Sequence, residues 1–336
     1  MRLAVWIFGL LMVTLLSSCS NNKENGETNT AEVSEAVDST LLKLNSAIAR
    51  NPKEPEVYYN RALYWQEQDD IKQALADLKS ALLLDTLNGN YFYTLGELYF
   101  KMGALVEADD AMGVAYKRNP QLVKAYIKRG EFAFYQKYYD QAMEYINAGL
   151  KIDVNNADGY FWKGMVYLEQ KNEAKALSNF LTATEQNPDH HEAYMQIGLI
   201  YLAKSDKKAW EYFTNALRTD PKSKEALYAR GMYLQGQGFA DSARKDYRAL
   251  LNIDSNYATA LFNMGYLDML EEKFQPAILW FTKAVEANPQ YYNALYNRGL
   301  CYELSGDKQA AARDFRRALT IEPGFELAIS ALKRLK

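Results

Sequence analysis

The chain has 336 residues, 24% of them charged and 13% aromatic, with a formal net charge of −3. That balance offers no general attraction to phosphates, so nucleic acid is not an expected partner. One globular core of this length is unusual, whereas an array that grows one repeat at a time accommodates it.

At the amino end Arg2 precedes an apolar run from Leu3 to Leu16. The run is short for a bilayer span and follows a positive start, so residues 1–18 are predicted to be a secretory signal. It ends in Leu16, Ser17, Ser18 and Cys19, which resembles the lipobox of bacterial lipoproteins. The resemblance implies cleavage before Cys19 and lipidation of that cysteine; an ordinary signal peptide with an incidental cysteine is the alternative. More than one acyl chain, as such lipoproteins carry, makes a stable anchor. Ser20 after the cysteine implies no retention at the inner membrane, so the expected location is the cell envelope, lipid-anchored at the outer membrane. Residues 19–37 continue as the lipidated cysteine and an Asn-, Glu-, Thr- and Ser-rich stretch without apolar periodicity, predicted to be a disordered tether.

Residues 38–54 place Leu41, Leu44, Ala47 and Ile48 on one helical face, with Ser39 as a plausible N-cap. The register to Pro52 matches the second half of the unit that follows, so this is read as an N-terminal half-repeat.

From residue 55 to 325 one pattern recurs eight times, at 55–88, 89–122, 123–156, 157–190, 191–223, 224–257, 258–291 and 292–325. In the last unit Leu295, Gly299 and Tyr302 share one helix face. After a turn signal at Ser305, Gly306 and Asp307, Ala311, Phe315 and Ala318 share a second. Small residues recur at Ala62, Gly96, Gly130, Gly164, Gly198, Gly231, Gly265 and Gly299, spaced by 34 residues with one interval of 33. Mid-helix glycine costs about 1 kcal/mol against alanine, so a series at one period needs a packing reason, namely close helix approach. A large apolar series accompanies it: Leu78, Met112, Ile146, Phe180, Phe213, Tyr247, Phe281 and Phe315. Pro52, Pro120, Pro188, Pro221, Pro289 and Pro323 stop second helices. Pro276 falls in a first turn, where proline is tolerated.

This pattern resembles the tetratricopeptide repeat (TPR) family over residues 55–325. The resemblance implies an all-α fold: an α-solenoid of eight TPR helical hairpins with an N-terminal half-repeat and a C-terminal capping helix at 326–336. Thr86, Val154 and Ser255 depart from it by replacing the closing proline, and the fifth unit is one residue short near Lys204 to Lys208. That shortening is expected to change the angle to the next unit.

In TPR arrays the first helix of each unit lines the concave surface, at its fifth, ninth, twelfth and thirteenth residues. By resemblance the candidate partner-binding groove comprises Tyr59, Tyr93, Glu97, Phe100, Glu131, Phe134, Phe161, Met165, Tyr228, Met232, Phe262, Tyr266, Met269 and Tyr296. Aromatic and methionine side chains dominate protein interfaces and adapt to partners. The same tyrosines also serve TPR proteins as scaffold. The acids at the later positions are Glu67, Glu97, Glu131, Glu169 and Glu303, with Lys101 the one base, so the groove is expected to be negative and its partner segment basic, with aromatic or aliphatic anchors. Aromatic or aliphatic fifth positions do not support the lysine and asparagine clamp by which some TPR domains hold a C-terminal carboxylate.

No phosphate loop, nucleophile elbow or calcium loop is present in the sequence. His190 and His191 are adjacent and face different ways, Cys301 reads as a buried small hydrophobe, and Asp268 in an apolar register is expected to find a local partner. No catalytic residue, metal site or cofactor is expected, and the chain is not expected to be an enzyme. The expected function is a membrane-anchored scaffold or adaptor for a protein or peptide, in envelope assembly, secretion or cell-wall enzyme regulation. A binding module for a glycan is the alternative.

Overall fold

The computed structural model describes residues 30–335. The signal segment, Cys19 and the start of the predicted tether lie outside the described residues. Every regular element described is a helix. The first, α1, spans Thr30–Arg50. Four hairpins follow: α2 Pro55–Glu67 with α3 Ile71–Leu84, α4 Gly89–Lys101 with α5 Leu105–Arg118, α6 Val123–Tyr135 with α7 Tyr139–Ile152, and α8 Ala157–Glu169 with α9 Glu173–Gln186. Four more are α10 His191–Ala203 with α11 Lys208–Thr219, α12 Lys224–Gly236 with α13 Ala240–Ile253, α14 Ala258–Leu270 with α15 Phe274–Ala287, and α16 Tyr292–Leu304 with α17 Lys308–Ile321. Last comes α18, Glu326–Leu335. The chain divides into two compact units, one ending at Gln186 and one starting at Asn187. Each contains four hairpins; α1 belongs to the first unit and α18 to the second.

α1 starts at Thr30, inside the stretch expected to be a tether. Ala31 to Val37 contains neither proline nor glycine, so no helix breaker interrupts the stretch. Propagation from an amphipathic segment that already packs adds one hydrogen bond per residue, which outweighs the low apolar content.

Within the hairpins the connecting link puts one residue at positive φ, as at Gly306 (89°) and Lys171 (59°). Each reverses the chain between first and second helix. The second helices end in turns closed by side chains: Asp85, Asn119, Asp153, Asn187, Asp220, Asp254 and Asn288 each accept from the backbone N–H two residues on. This explains why Thr86, Val154 and Ser255 dispense with proline. Asp85, Asp153 and Asp254 precede them and make the turn without it. The missing residue of the fifth unit comes out of the second helix. α11 has 12 residues, where α9 and α13 have 14, and Lys207 at its N-cap is already helical.

The small and large series meet. In the first unit a Cβ on Gly164 would lie 2.6 Å from Cε1 of Phe180. In the second, one on Gly198 would lie 2.5 Å from Cε1 of Phe213. The ring seats against bare backbone and is fully buried, so each hairpin carries its own small core. Polar clamps reinforce three hairpins: Arg61 to Asp77, Arg230 to Asp246 and Arg298 to Asp314, each with two nitrogens on two oxygens. Arg298 also donates to Thr282 at 3.0 Å, tying its hairpin to the preceding second helix.

First helices of successive hairpins approach closely at α6/α8 in the first unit and at α10/α12 and α14/α16 in the second. No pair of second helices comes as near. Within each unit the first helices therefore occupy the inner side.

Candidate functional site

The inner side is built from the fifth residues of the first helices and their neighbours. Four of these fifth-position rings lean on the large residue of their own second helix: Phe161 on Phe180, Tyr228 on Tyr247, Phe262 on Phe281 and Tyr296 on Phe315, with centroids 5.7, 6.3, 5.5 and 5.7 Å apart. One side of each ring thus belongs to the hairpin core. Tyr228, Phe262 and Tyr296 stay partly exposed, whereas Phe161 is only 8% exposed.

In the first unit Tyr59 shares a hydrogen bond with Thr94 at 3.1 Å and packs on Tyr91. Tyr93 donates to Glu97 at 2.8 Å, while Lys124 Nζ sits 4.1 Å above the Tyr93 ring. Burial first, then the Glu97 charge, keeps the Tyr93 hydroxyl protonated far above its ordinary range. Phe100 stacks on Phe132 at 4.5 Å. Phe134 is buried at 5% exposure beneath Trp162, and Met165 packs beside them, half-buried. In the second unit Tyr228 also touches Tyr257, and Met232 receives the Asn263 amide at 3.3 Å. Phe262 stacks on Tyr266, with Met269 close by. Tyr296 meets Phe325 edge-on.

The charge of this face differs from the expectation. Glu131 is buried at 9% exposure and accepts from Lys128 at 2.7 Å. Its carboxyl is pushed up by desolvation, against the pull of Lys128, with Asp158 and Glu97 adding repulsion. Glu303 is held by two nitrogens of Arg334, at 2.8 and 2.7 Å. Glu169 accepts from Tyr139, and Lys101 reaches Asp69 instead of the face. Counting only chosen positions missed Lys124, Lys128 and Arg334, which neutralise much of the apparent excess of acids. Asp158, in the first turn of α8, joins Glu97 and Glu131 in one electrostatic cluster across α4, α6 and α8. The Lys128 and Glu131 pair, three residues apart on one helix, was readable in advance.

Asp268 has its local partner. Arg244 donates to it at 2.9 Å and to Glu271 at 2.7 Å, and both Asp268 and Arg244 are buried. His191 bonds Ala216 O, Thr219 and Ser223, and His190 accepts from the Ala193 N–H, so both serve helix ends. Burial pushes the Cys301 thiol up to about 12. Among the described residues no group of acids, histidines or cysteines is placed to hold a metal ion, and no helix is long and apolar enough to cross a membrane.

Tetratricopeptide repeat family profiles match residues 123–156, 157–190, 228–292 and 292–325. Human tetratricopeptide repeat protein 6 is 27% identical over 312 residues, covering 86% of this chain, which spans 57% of that protein's length. The C-terminal part of a TPR repeat-containing protein from Cytophaga hutchinsonii superposes with a TM-score of 0.58 at 16% identity, covering 71% of this chain and 99% of that part. PilW, described as a widely conserved type IV pilus biogenesis factor, superposes at 0.52 with 21% identity, covering 63% of this chain and 99% of its own. These two likenesses speak for the fold alone. The family profiles over residues 123–190 and 228–325, with the hairpin geometry above, support a tetratricopeptide repeat array.

Proposed function

We propose that this chain is a non-catalytic scaffold that binds a protein or peptide segment along the inner side of its first helices, while the lipid on Cys19 holds it at the outer membrane. The observation that carries the reading is the row Tyr228, Phe262 and Tyr296 in the second unit, each ring fixed by its own hairpin and by a neighbouring ring and still partly exposed. Rings held this way lose little entropy when a partner covers them, which suits them as anchors. Their stacking faces are largely engaged by neighbouring rings, as in Phe262 on Tyr266, which favours apolar side chains over sugars. On the inner side of the first unit, taken by itself, a basic residue of a bound segment would meet Glu97 and Asp158. The site belongs to envelope assembly, secretion or cell-wall enzyme regulation, and PilW is an example of a similar fold in a type IV pilus biogenesis factor.

The test is quantitative capture from envelope extracts with wild-type protein and with Tyr228→Ala and Glu97→Gln. The reading expects polypeptides depleted by Tyr228→Ala through faster release from the second unit, and polypeptides depleted by Glu97→Gln through slower association with the first. Equal recovery from all three proteins contradicts it.

A further inference from the structure

The second helix of a full hairpin covers one side of the first, as α17 covers α16. Among the described residues that side of α18 has no such cover. Between α17 and α18 lies an open groove of about 840 Å³. Its floor is apolar, with Leu319, Ile329 and Leu332 half-buried. Its walls carry Lys308, Arg313, Arg316 and Lys333, all exposed, and no acid lines it.

None of these four cations has an ion-pair partner among the described residues. Glu303, the acid whose field reaches Lys308, is held by Arg334, and Asp314 is held by Arg298. Lys333 stands one 34-residue period after Gly299, at the register where every full hairpin has a small residue that faces the large apolar residue of its second helix. A ring in that place would bury the ammonium group. A carboxylate there would pair with it.

We propose that this groove docks an acidic amphipathic helix of a partner protein, lying where a ninth second helix would lie. Its apolar stripe would cover Leu319, Ile329 and Leu332, and its carboxylates would meet the four cations. One wall, α18, is the first helix against which such an element would pack, as α17 packs on α16. The complementary charge selects an acidic helix. The surface and the sign of the partner both differ from those of the inner side.

The probe is a labelled, end-blocked helical peptide of about 16 residues, with leucines on one face flanked by glutamates. It is titrated into the full chain by fluorescence anisotropy. A peptide of the same composition, scrambled so that the leucines share no face, is the control. The proposal expects the scrambled peptide to bind at least about tenfold more weakly, and Lys333→Glu and Arg313→Glu each to weaken the ordered peptide by a similar factor. Both substitutions are at exposed positions, and unchanged helicity by circular dichroism certifies the fold. Equal binding of the scrambled peptide, or indifference to both substitutions, overturns the proposal. So does capture of phosphatidylglycerol vesicles through these residues with no binding of the peptide. Self-association abolished by Lys333→Glu overturns it as well, since the occupant would then be a second copy.

Discussion

The missing side chain of Gly164 makes the seat of Phe180: a Cβ there would lie 2.6, 2.7 and 3.1 Å from three atoms of the ring. Phe180 is fully buried, so the ring has nowhere to retreat. Gly164→Leu is expected to destabilise by about 1–3 kcal/mol through overpacking, read as a lower urea midpoint. An unchanged midpoint would refute the register.

Lys171 holds φ at 59° in the link between α8 and α9, the place Gly306 fills in the last hairpin. A side chain in that conformation is disfavoured, and glycine is not. Relief of about 1–2 kcal/mol is offset by about 0.4–1 kcal/mol because glycine loosens the unfolded chain, so Lys171→Gly is expected to gain about 1 kcal/mol or less. A midpoint that falls would show that the lysine contributes contacts of its own.

The buried Arg244 and Asp268 pair extends to Glu271, whose carboxyl is held down to about 2 by hydrogen bonds from Arg244 and then Lys273. A lowered carboxyl contributes stability that is complete above its unfolded value of about 4.3 and is lost as the pH falls toward about 2. Glu271→Gln should therefore lose stability at neutral pH and show a shallower decline across that acid window. Arg244→Ala should cost about 3–5 kcal/mol, because it strands the Asp268 carboxylate in the interior. Parallel urea titrations at neutral and acid pH decide both; identical pH slopes for wild type and Glu271→Gln would exclude the linkage.

Cys19→Ala should abolish incorporation of an acyl analogue and release the protein from the membrane fraction. Retention with undiminished labelling would exclude the lipid anchor at this cysteine.

Much of the fold was legible because hairpin packing imposes a strict spacing. Gly299 and Phe315 announce each other through the same period that brings Gly164 to Phe180. The start of α1 was not legible, since a polar stretch without breakers reads as tether until a packed helix lies beside it. The candidate site was less legible than the fold. A fifth-position aromatic is demanded both by the hairpin core and by a binding face. Only the burial of Phe161, against the partial exposure of Tyr228, separates those uses. Charge was misjudged for a related reason. Arg334 reaches Glu303 from another helix 31 residues on, and Lys128 reaches Glu131 from the preceding turn, so no tally of one register contains either base.

The inner side is tested most directly by a photo-crosslinking phenylalanine analogue placed at Phe262 on α14, compared with the same analogue at Leu279, exposed on the second helix α15. Irradiation in intact cells, followed by mass spectrometry, reads which side touches a partner. The account predicts a discrete crosslinked polypeptide from Phe262 and none from Leu279. Crosslinks from Leu279 with none from Phe262 would contradict it.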